Sequence, residues 1–298
     1  MGTKGGGAVT TALITGGGRG LGHVTAQKLA EAGYRVILVA RTADAAEAAA
    51  EQIRHGRDGS VVEPRWADLS SLAQVRTLAE DVVRQGGSID VLFHVAGVMQ
   101  TSKTRRLSVD GFEETLAVNV LAPFLLTGLL LPALRQAPAA RVVTVSSRLH
   151  LPGSRGEPVD FDFADPQLTH GYNPDRAYKN SKLAVLWFTY ELQRRLAPLP
   201  ITANAVCPGF VPATAAASTH GAMHAVMTHL MPHMPFATSV DAATDSLAFM
   251  ALDPALNGVG GAFYGERHPI QSSPESLDID QAQRFWNLAA DLTGFHEL

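Results

Sequence analysis

The chain has 298 residues, 46% of them hydrophobic, and a formal net charge of −4. That is enough apolar material for one sizeable α/β core, so neither a disordered chain nor a small disulfide scaffold is indicated. Charges of both signs are spread along the chain without a basic run or a basic-aromatic stripe, which argues against a nucleic-acid partner.

In chain order, short apolar runs alternate with longer helical patterns. Residues 11–15 read as a strand and 21–32 as a helix. A second, near-continuously apolar strand at 35–40 precedes an Ala/Glu-rich helix at 43–53. A third strand, 61–67, leads to a helix at 72–85, and a fourth, 91–95, to a helix at 112–134. A fifth strand covers 141–146, a long helix 176–196, a sixth strand 201–206, and 261–264 is a candidate final strand. Strands apolar throughout, each followed by a helix, predict a parallel sheet covered on both faces. Right-handed crossovers make it a single doubly wound sheet of the Rossmann type. No repeat or linker interrupts the pattern, so residues 8–298 read as one domain. Residues 1–7 are expected to be a flexible N-terminus, and 208–238 a loop-rich excursion. The most apolar stretch, 116–134, is interrupted by Asn119, Pro123, Thr127 and Pro132. It falls short of about 18 consecutive apolar residues and reads as a buried helix, so no transmembrane segment is expected.

Between the first strand and first helix lies Thr15-Gly16-Gly17-Gly18-Arg19-Gly20-Leu21-Gly22. Glycine lets a backbone approach a pyrophosphate, and the following helix start offers free N–H groups and a positive dipole end. Gly16, Gly18, Arg19, Gly20 and Leu21 are therefore candidate cofactor contacts; in this strand–turn–helix setting the motif outweighs an ordinary glycine turn. An NAD-preferring site usually ends its second strand with an acid. Here Arg41 ends it, and Arg19 sits in the turn. Two guanidinium groups suit a 2′-phosphate, so NADP(H) is expected, although each arginine alone would pass as a solvated surface residue. Asp68-Leu69 ends the third strand; Asp68 either accepts from an adenine amino group or caps the next helix, and the roles are compatible.

Tyr178-Lys179-Asn180-Ser181-Lys182 falls inside a predicted helix, where residues four apart share a face. A nearby ammonium would lower the phenol's titration toward neutrality. Ser146-Ser147 ends the fifth strand, at the carboxyl edge where such sheets hold ligands, and a serine there either holds a carbonyl oxygen or makes a turn. Asn119 is a polar residue in an apolar helix, and reads as a support for a proton-relay water or as a satisfied core amide.

These pieces together resemble the short-chain dehydrogenase/reductase superfamily along nearly the whole chain. The matching residues are Thr15-Gly16-x-x-x-Gly20-x-Gly22, Asp68-Leu69, Ala96-Gly97, Asn119, Ser147, Tyr178-x-x-x-Lys182 and Pro208-Gly209. The resemblance implies a catalytic tetrad of Asn119, Ser147, Tyr178 and Lys182, with Ser147 preferred to Ser146. It implies that Tyr178 and Lys182 also meet the nicotinamide ribose, that Ala96 and Gly97 approach the cofactor ribose, and that Pro208, Gly209, Val211 and Thr214 approach the nicotinamide. The segments Val159-Asp160-Phe161 and Tyr178–Ala184 and the C-terminal Trp286–Leu292 stretch are similar to the retinol dehydrogenase and protochlorophyllide reductase-like group, which usually uses NADPH. Two departures stand out. His94-Val95 replaces the usual Asn-Asn, and the Pro208-to-Thr214 spacing is one residue longer than usual.

The expected chemistry is hydride transfer between a nicotinamide and a carbonyl or alcohol of a mostly apolar small molecule, with Tyr178 as general acid and base. The alternatives are a non-redox dehydratase, epimerase or cyclase that binds NADP on the same scaffold, and a regulatory nucleotide-binding protein. The 208–238 segment carries Met223, Met227, Met231, Met234 and Phe236, which suit an apolar pocket. Its pairs His220/His224 and His229/His233 have helical spacing but no carboxylate or cysteine beside them, so no metal is expected. Arg148 and His150 either shape the pocket or lie in an exposed loop. With only Cys207 there is no intrachain disulfide, and the start lacks an apolar signal core, which points to the cytoplasm. The helices at 112–134 and 176–196 pair across subunits in many members, which points to a homodimer or homotetramer.

Overall fold

A computed structural model describes residues 10–55, 59–153, 156–216, 219 and 221–297. The N-terminal stretch 1–7 and His220 lie outside the described residues. The apolar runs become strands β1 (Thr11–Thr15), β2 (Arg35–Ala40), β3 (Val62–Trp66), β4 (Val91–His94), β5 (Ala140–Val145), β6 (Ile201–Cys207), β7 (Phe263–Gly265) and β8 (His268–Pro269). Seven longer helices accompany them: α1 (Gly20–Glu31), α2 (Ala43–Arg54), α3 (Leu72–Gln85), α4 (Glu114–Leu134), α5 (Pro174–Leu196), α6 (Val240–Leu252) and α7 (Ile279–Thr293). They build one eight-stranded sheet in the order β3-β2-β1-β4-β5-β6-β7-β8. Every pairing is parallel except β7 with β8.

The chain order reverses between β1 and β4, so the crevice beside these two strands opens at their carboxyl ends. The register of this edge sets Thr15 opposite both Val39 and His94. The helix starts are fixed locally. Thr42 caps α2, Ser71 caps α3, Glu113 caps α4, Asn173 caps α5, Ser239 caps α6 and Asp278 caps α7, each side chain accepting a backbone N–H of the first turn. Helix α1 has no such cap among the described residues, and its first N–H groups are left for another acceptor.

Helix α4 is apolar enough to cross a membrane by length and composition, yet 89% of its apolar window is buried inside the protein. It is a core helix, as its polar interruptions suggest. Five of its residues, Ala117–Leu121, form a π-turn around Asn119. The stretch 180–192 of α5 is buried on every side. Helix α3 packs along α4, and α7, which the sequence pattern left unassigned, packs along α5 and reaches α4 at Phe124. Phe285 and Trp286 of α7 meet Phe124, Phe161, Trp187 and Phe188 in an aromatic cluster, with Phe124 and Trp286 ring centroids 4.8 Å apart. Arg195 lies over the Trp286 ring at 4.5 Å. Each such ring removes a large apolar area from water, worth about 1.5–3 kcal/mol per fully buried side chain.

This covering bears on assembly. The pairing expected of these helices across subunits would need α7 displaced and its aromatic cluster exposed. If sedimentation equilibrium finds a dimer, its contact is therefore expected to lie outside α4 and α5. A stable dimer whose contact protects α4 and α5 from hydrogen exchange would contradict that reading.

Candidate active site

The carboxyl edge of the sheet gathers nearly every residue singled out from the sequence. Gly16, Gly18, Arg19, Gly20 and Leu21 follow β1, Arg41 follows β2, and Asp68 and Leu69 follow β3. Ala96 and Gly97 follow β4, Ser147 follows β5, and Pro208, Gly209 and Val211 follow β6. Gly16 has φ +74°, and a Cβ there would stand 2.9 Å from the backbone of Ala96. Only glycine lets the first turn and the β4 turn come this close. Thr15 ties the same two turns: its hydroxyl accepts the Ala96 N–H at 3.3 Å. A Cβ on Gly97 would lie 3.4 Å from Asn119 Oδ1 and 3.7 Å from Lys182 Nζ, so this backbone opens directly onto the polar centre.

His94 occupies the position where the family carries an asparagine. Its ring is buried and its Nε2 shares a 2.8 Å hydrogen bond with Thr127 Oγ1 of α4, a substitute tie between strand and helix. Burial pushes its pKa down to about 3, so the ring is neutral at any working pH.

Tyr178 and Lys182 share one face of α5, and Lys182 Nζ stands 5.4 Å from the centre of the Tyr178 ring. Ser147 lies close enough to the Tyr178 phenol to pull its titration down against the effect of burial. Its neighbour Ser146 has its hydroxyl committed to the Lys182 carbonyl at 2.9 Å, which leaves Ser147 as the serine of the site. Lys182 Nζ donates to the Val145 carbonyl at 2.9 Å. Asn119 is held on both sides: Oδ1 accepts the Val98 N–H at 2.8 Å, and Nδ2 donates to the Val98 carbonyl and to Ser181 Oγ, both at 3.0 Å. Ser181 in turn donates to the Tyr178 carbonyl at 2.7 Å. Asn119 thus joins the β4 turn to α5 one residue from Lys182, and its amide hydrogens are both in use.

The electrostatics differ from the sequence expectation. Burial pushes the Tyr178 phenol up to about 12, with Cys207 adding to the rise and the nearby Ser147 hydroxyl opposing it. Burial also brings the Lys182 ammonium down to about 8, Cys207 opposing. Desolvation outweighs the expected help from the ammonium because both groups lie in the same low-dielectric wall.

The outlying expectations divide. Arg19 and Arg41 are exposed, and neither guanidinium has a hydrogen-bond or ion-pair partner among the described residues. Asp68 folds back on Ser70, accepting its N–H at 2.9 Å and its hydroxyl at 2.8 Å, while Ser71 is the cap of α3. Thr214 is exposed and gives its hydroxyl to the Val211 carbonyl at 2.7 Å, so it lines a short helix (Pro212–Ala216) rather than the centre. Among the described residues no group of three or more His, Cys, Asp or Glu gathers to hold a metal. The sequence reading missed two residues. Cys207, at the end of β6, is buried close enough to Tyr178 and Lys182 to shift both. His150, open between pocket and exposed loop from its neighbours alone, is fully buried.

The family's sequence pattern, described as short chain dehydrogenase, matches residues 10–159. The chain belongs to the short-chain dehydrogenase family, within its retinol dehydrogenase-like group, and is an oxidoreductase acting on alcohol or carbonyl groups. Retinol dehydrogenase 14 of Mus musculus is 34% identical over 95% of this chain and 86% of the relative. An uncharacterized protein of Mycobacterium paratuberculosis, solved by crystallography, superimposes with a TM-score of 0.73 at 34% identity, over 96% of this chain and 93% of that one. The Pseudomonas aeruginosa RhlG/NADP active-site complex gives a TM-score of 0.67 at 26% identity, over 86% of this chain and 94% of that one.

Proposed function

We propose that this chain is an NADP(H)-dependent reductase of apolar ketones or aldehydes, with Tyr178 as the proton donor. The observation that carries the reading is Lys182 set 5.4 Å from the centre of the Tyr178 ring, with Ser147 near the phenol at the carboxyl edge. The residues around the edge suit a dinucleotide: the uncapped start of α1, the close glycine backbones at 16 and 97, and two unpaired guanidinium groups. Arg19 and Arg41 would hold a 2′-phosphate, and Lys182 the nicotinamide ribose. When bound, the nicotinamide supplies or accepts the hydride. Ser147 steadies the charge that develops on the substrate oxygen. Tyr178 gives that oxygen its proton in reduction and takes it back in oxidation.

A phenol held near 12 is protonated at neutral pH, the form that donates. Reduction is therefore expected to hold steady through neutrality and to fall only as the phenol ionises. Oxidation needs the phenolate, and kcat/KM for the alcohol should rise about tenfold per pH unit between about pH 7 and 9. A flat oxidation profile over that range would show that Tyr178 does not set the proton step.

The excursion that follows β6 at the carboxyl edge supports the substrate class. Phe210 pairs with Ala237 at its base, and the Phe210 and Phe236 rings lie 5.9 Å apart. Leu230, Met234 and Phe236 are exposed there, an apolar rim suited to a bulky hydrocarbon. The name of the Mus musculus relative supports a substrate of that kind. A cytoplasmic setting, where NADPH is plentiful, would favour reduction.

Calorimetry with NADPH and NADH, followed by NADPH oxidation over a panel of apolar ketones and aldehydes, tests the reading. Tight NADPH binding with turnover supports it. Tight binding without turnover on any carbonyl favours a dehydratase, epimerase or cyclase on the same scaffold.

A further inference from the structure

We infer that His150 is the positioning residue for Ser147, bracing the serine against the same helix that carries Tyr178. The inference rests on the functional reading above and concerns how its serine is held. Ser147 heads a single 3-10 turn, Arg148–His150, and its own Oγ accepts the Leu149 N–H at 3.2 Å. So short a turn, with Arg148 and Leu149 exposed, has little packing of its own to fix it. His150 supplies the anchor. Its ring is fully buried, set edge-on against Phe263 of β7 with centroids 5.0 Å apart. Nδ1 bonds the Ser147 carbonyl, and Nε2 faces the Ser273 N–H at 3.2 Å.

These two partners define the ring's proton. A backbone N–H can only donate, so Nε2 must carry the lone pair. The hydrogen then sits on Nδ1 and points at the Ser147 carbonyl, which can only accept. Burial holds the ring on the neutral side, against the pull of the Ser147 carbonyl and Glu275.

The far end of the brace is attached to α5. Tyr190 donates to Ser272 Oγ at 3.0 Å, and Trp187 Nε1 donates to the Glu275 carbonyl at 2.8 Å. Ser276 bonds both Ser272 Oγ, at 2.8 Å, and the Ser273 carbonyl, at 2.6 Å. The links run from Ser147 through His150 and Ser273 to the 272–276 segment, and from there onto α5, the helix that carries Tyr178. The proton donor and the serine are therefore referenced to one rigid body. A displacement on the order of 1 Å between such groups costs roughly 100-fold in rate.

The test uses the full chain and the panel carbonyl that the wild type reduces fastest. His150→Phe keeps a buried ring and loses both bonds. His150→Asn keeps an N–H donor in the place of Nδ1 and loses the link to Ser273. The expected result is a kcat about 10- to 100-fold lower in His150→Phe, with KM and NADPH Kd within about twofold of wild type, and recovery of most of that loss in His150→Asn. A purely structural role would instead lower the melting temperature and leave kcat per cofactor-binding site unchanged, and that outcome overturns the inference. So does an Asn variant as slow as the Phe variant. If His150→Phe does not fold, Ser273→Pro serves in its place, because Ser273 already has φ −66° and the change removes the N–H facing Nε2. A lowered kcat there supports the brace and an unchanged kcat refutes it. A wild type that binds NADPH but reduces nothing in the panel overturns the functional reading and this inference with it; normal wild-type turnover with unaffected variants overturns the inference alone.

Discussion

Tyr178→Phe is expected to lose about 1,000-fold or more in kcat for carbonyl reduction while its NADPH Kd stays within about twofold of the wild type. In the proposed reaction the phenol hands its proton to the substrate oxygen, and removing its oxygen leaves the helix face, the Lys182 bond to the Val145 carbonyl and the glycine turn in place. Removing the hydroxyl also relieves a desolvation cost, since burial already pushes this phenol up to about 12. The variant should therefore melt at or above the wild-type temperature. Stopped-flow reduction and calorimetry on the same preparation give both numbers. A Phe variant that retains more than about a tenth of the wild-type rate would move the proton step to another group or to water.

The double variant Arg19→Ala/Arg41→Ala is expected to bind NADPH about 100-fold more weakly and NADH almost as before. Each charge-assisted hydrogen bond to phosphate is worth about 1.5–3 kcal/mol, and exposure of both side chains discounts the sum. The 2′-phosphate is the chemical difference between the two nucleotides, so the ratio of their Kd values isolates it. Equal weakening for both would place the guanidinium groups on the pyrophosphate instead. Raising the salt concentration should narrow the wild-type preference, because exposed charges are screened.

How much of this was legible beforehand can be read from particular elements. The strands 11–15 and 35–40 and the helix 72–85 are placed as their apolar periodicity predicts, with the same boundaries. Their signals are local: buried parallel strands are near-continuously apolar, although the cap offered to Asp68 falls to Ser71, because Asp68 turns back on Ser70. Helix α7 was not read, although its ending was noticed, because its apolar face has meaning only against the groove between α4 and α5. Strand β8 is two residues long and has no periodicity to detect. The excursion at 208–238 was expected to be loop-rich and instead contains short helical turns, which draw on tertiary contacts more than on propensity.

The same division runs through the site. The residue types, their order and the i, i+4 pairing of Tyr178 with Lys182 are properties of the chain itself, because a helix brings such residues onto one face wherever it lies. So are the glycine turn and the absence of an acid after β2. The sheet topology decided what those residues meet. Burial of the Tyr178 phenol and the Lys182 ammonium in one wall sets their proton affinities against the direction that an isolated pair would take. The same burial turned His150 from a residue beside the serine into its anchor, with a partner 123 positions away. Proximity along the chain fixes which groups share a face. Desolvation and long-range hydrogen bonds depend on everything packed around them, and only the folded chain determines those.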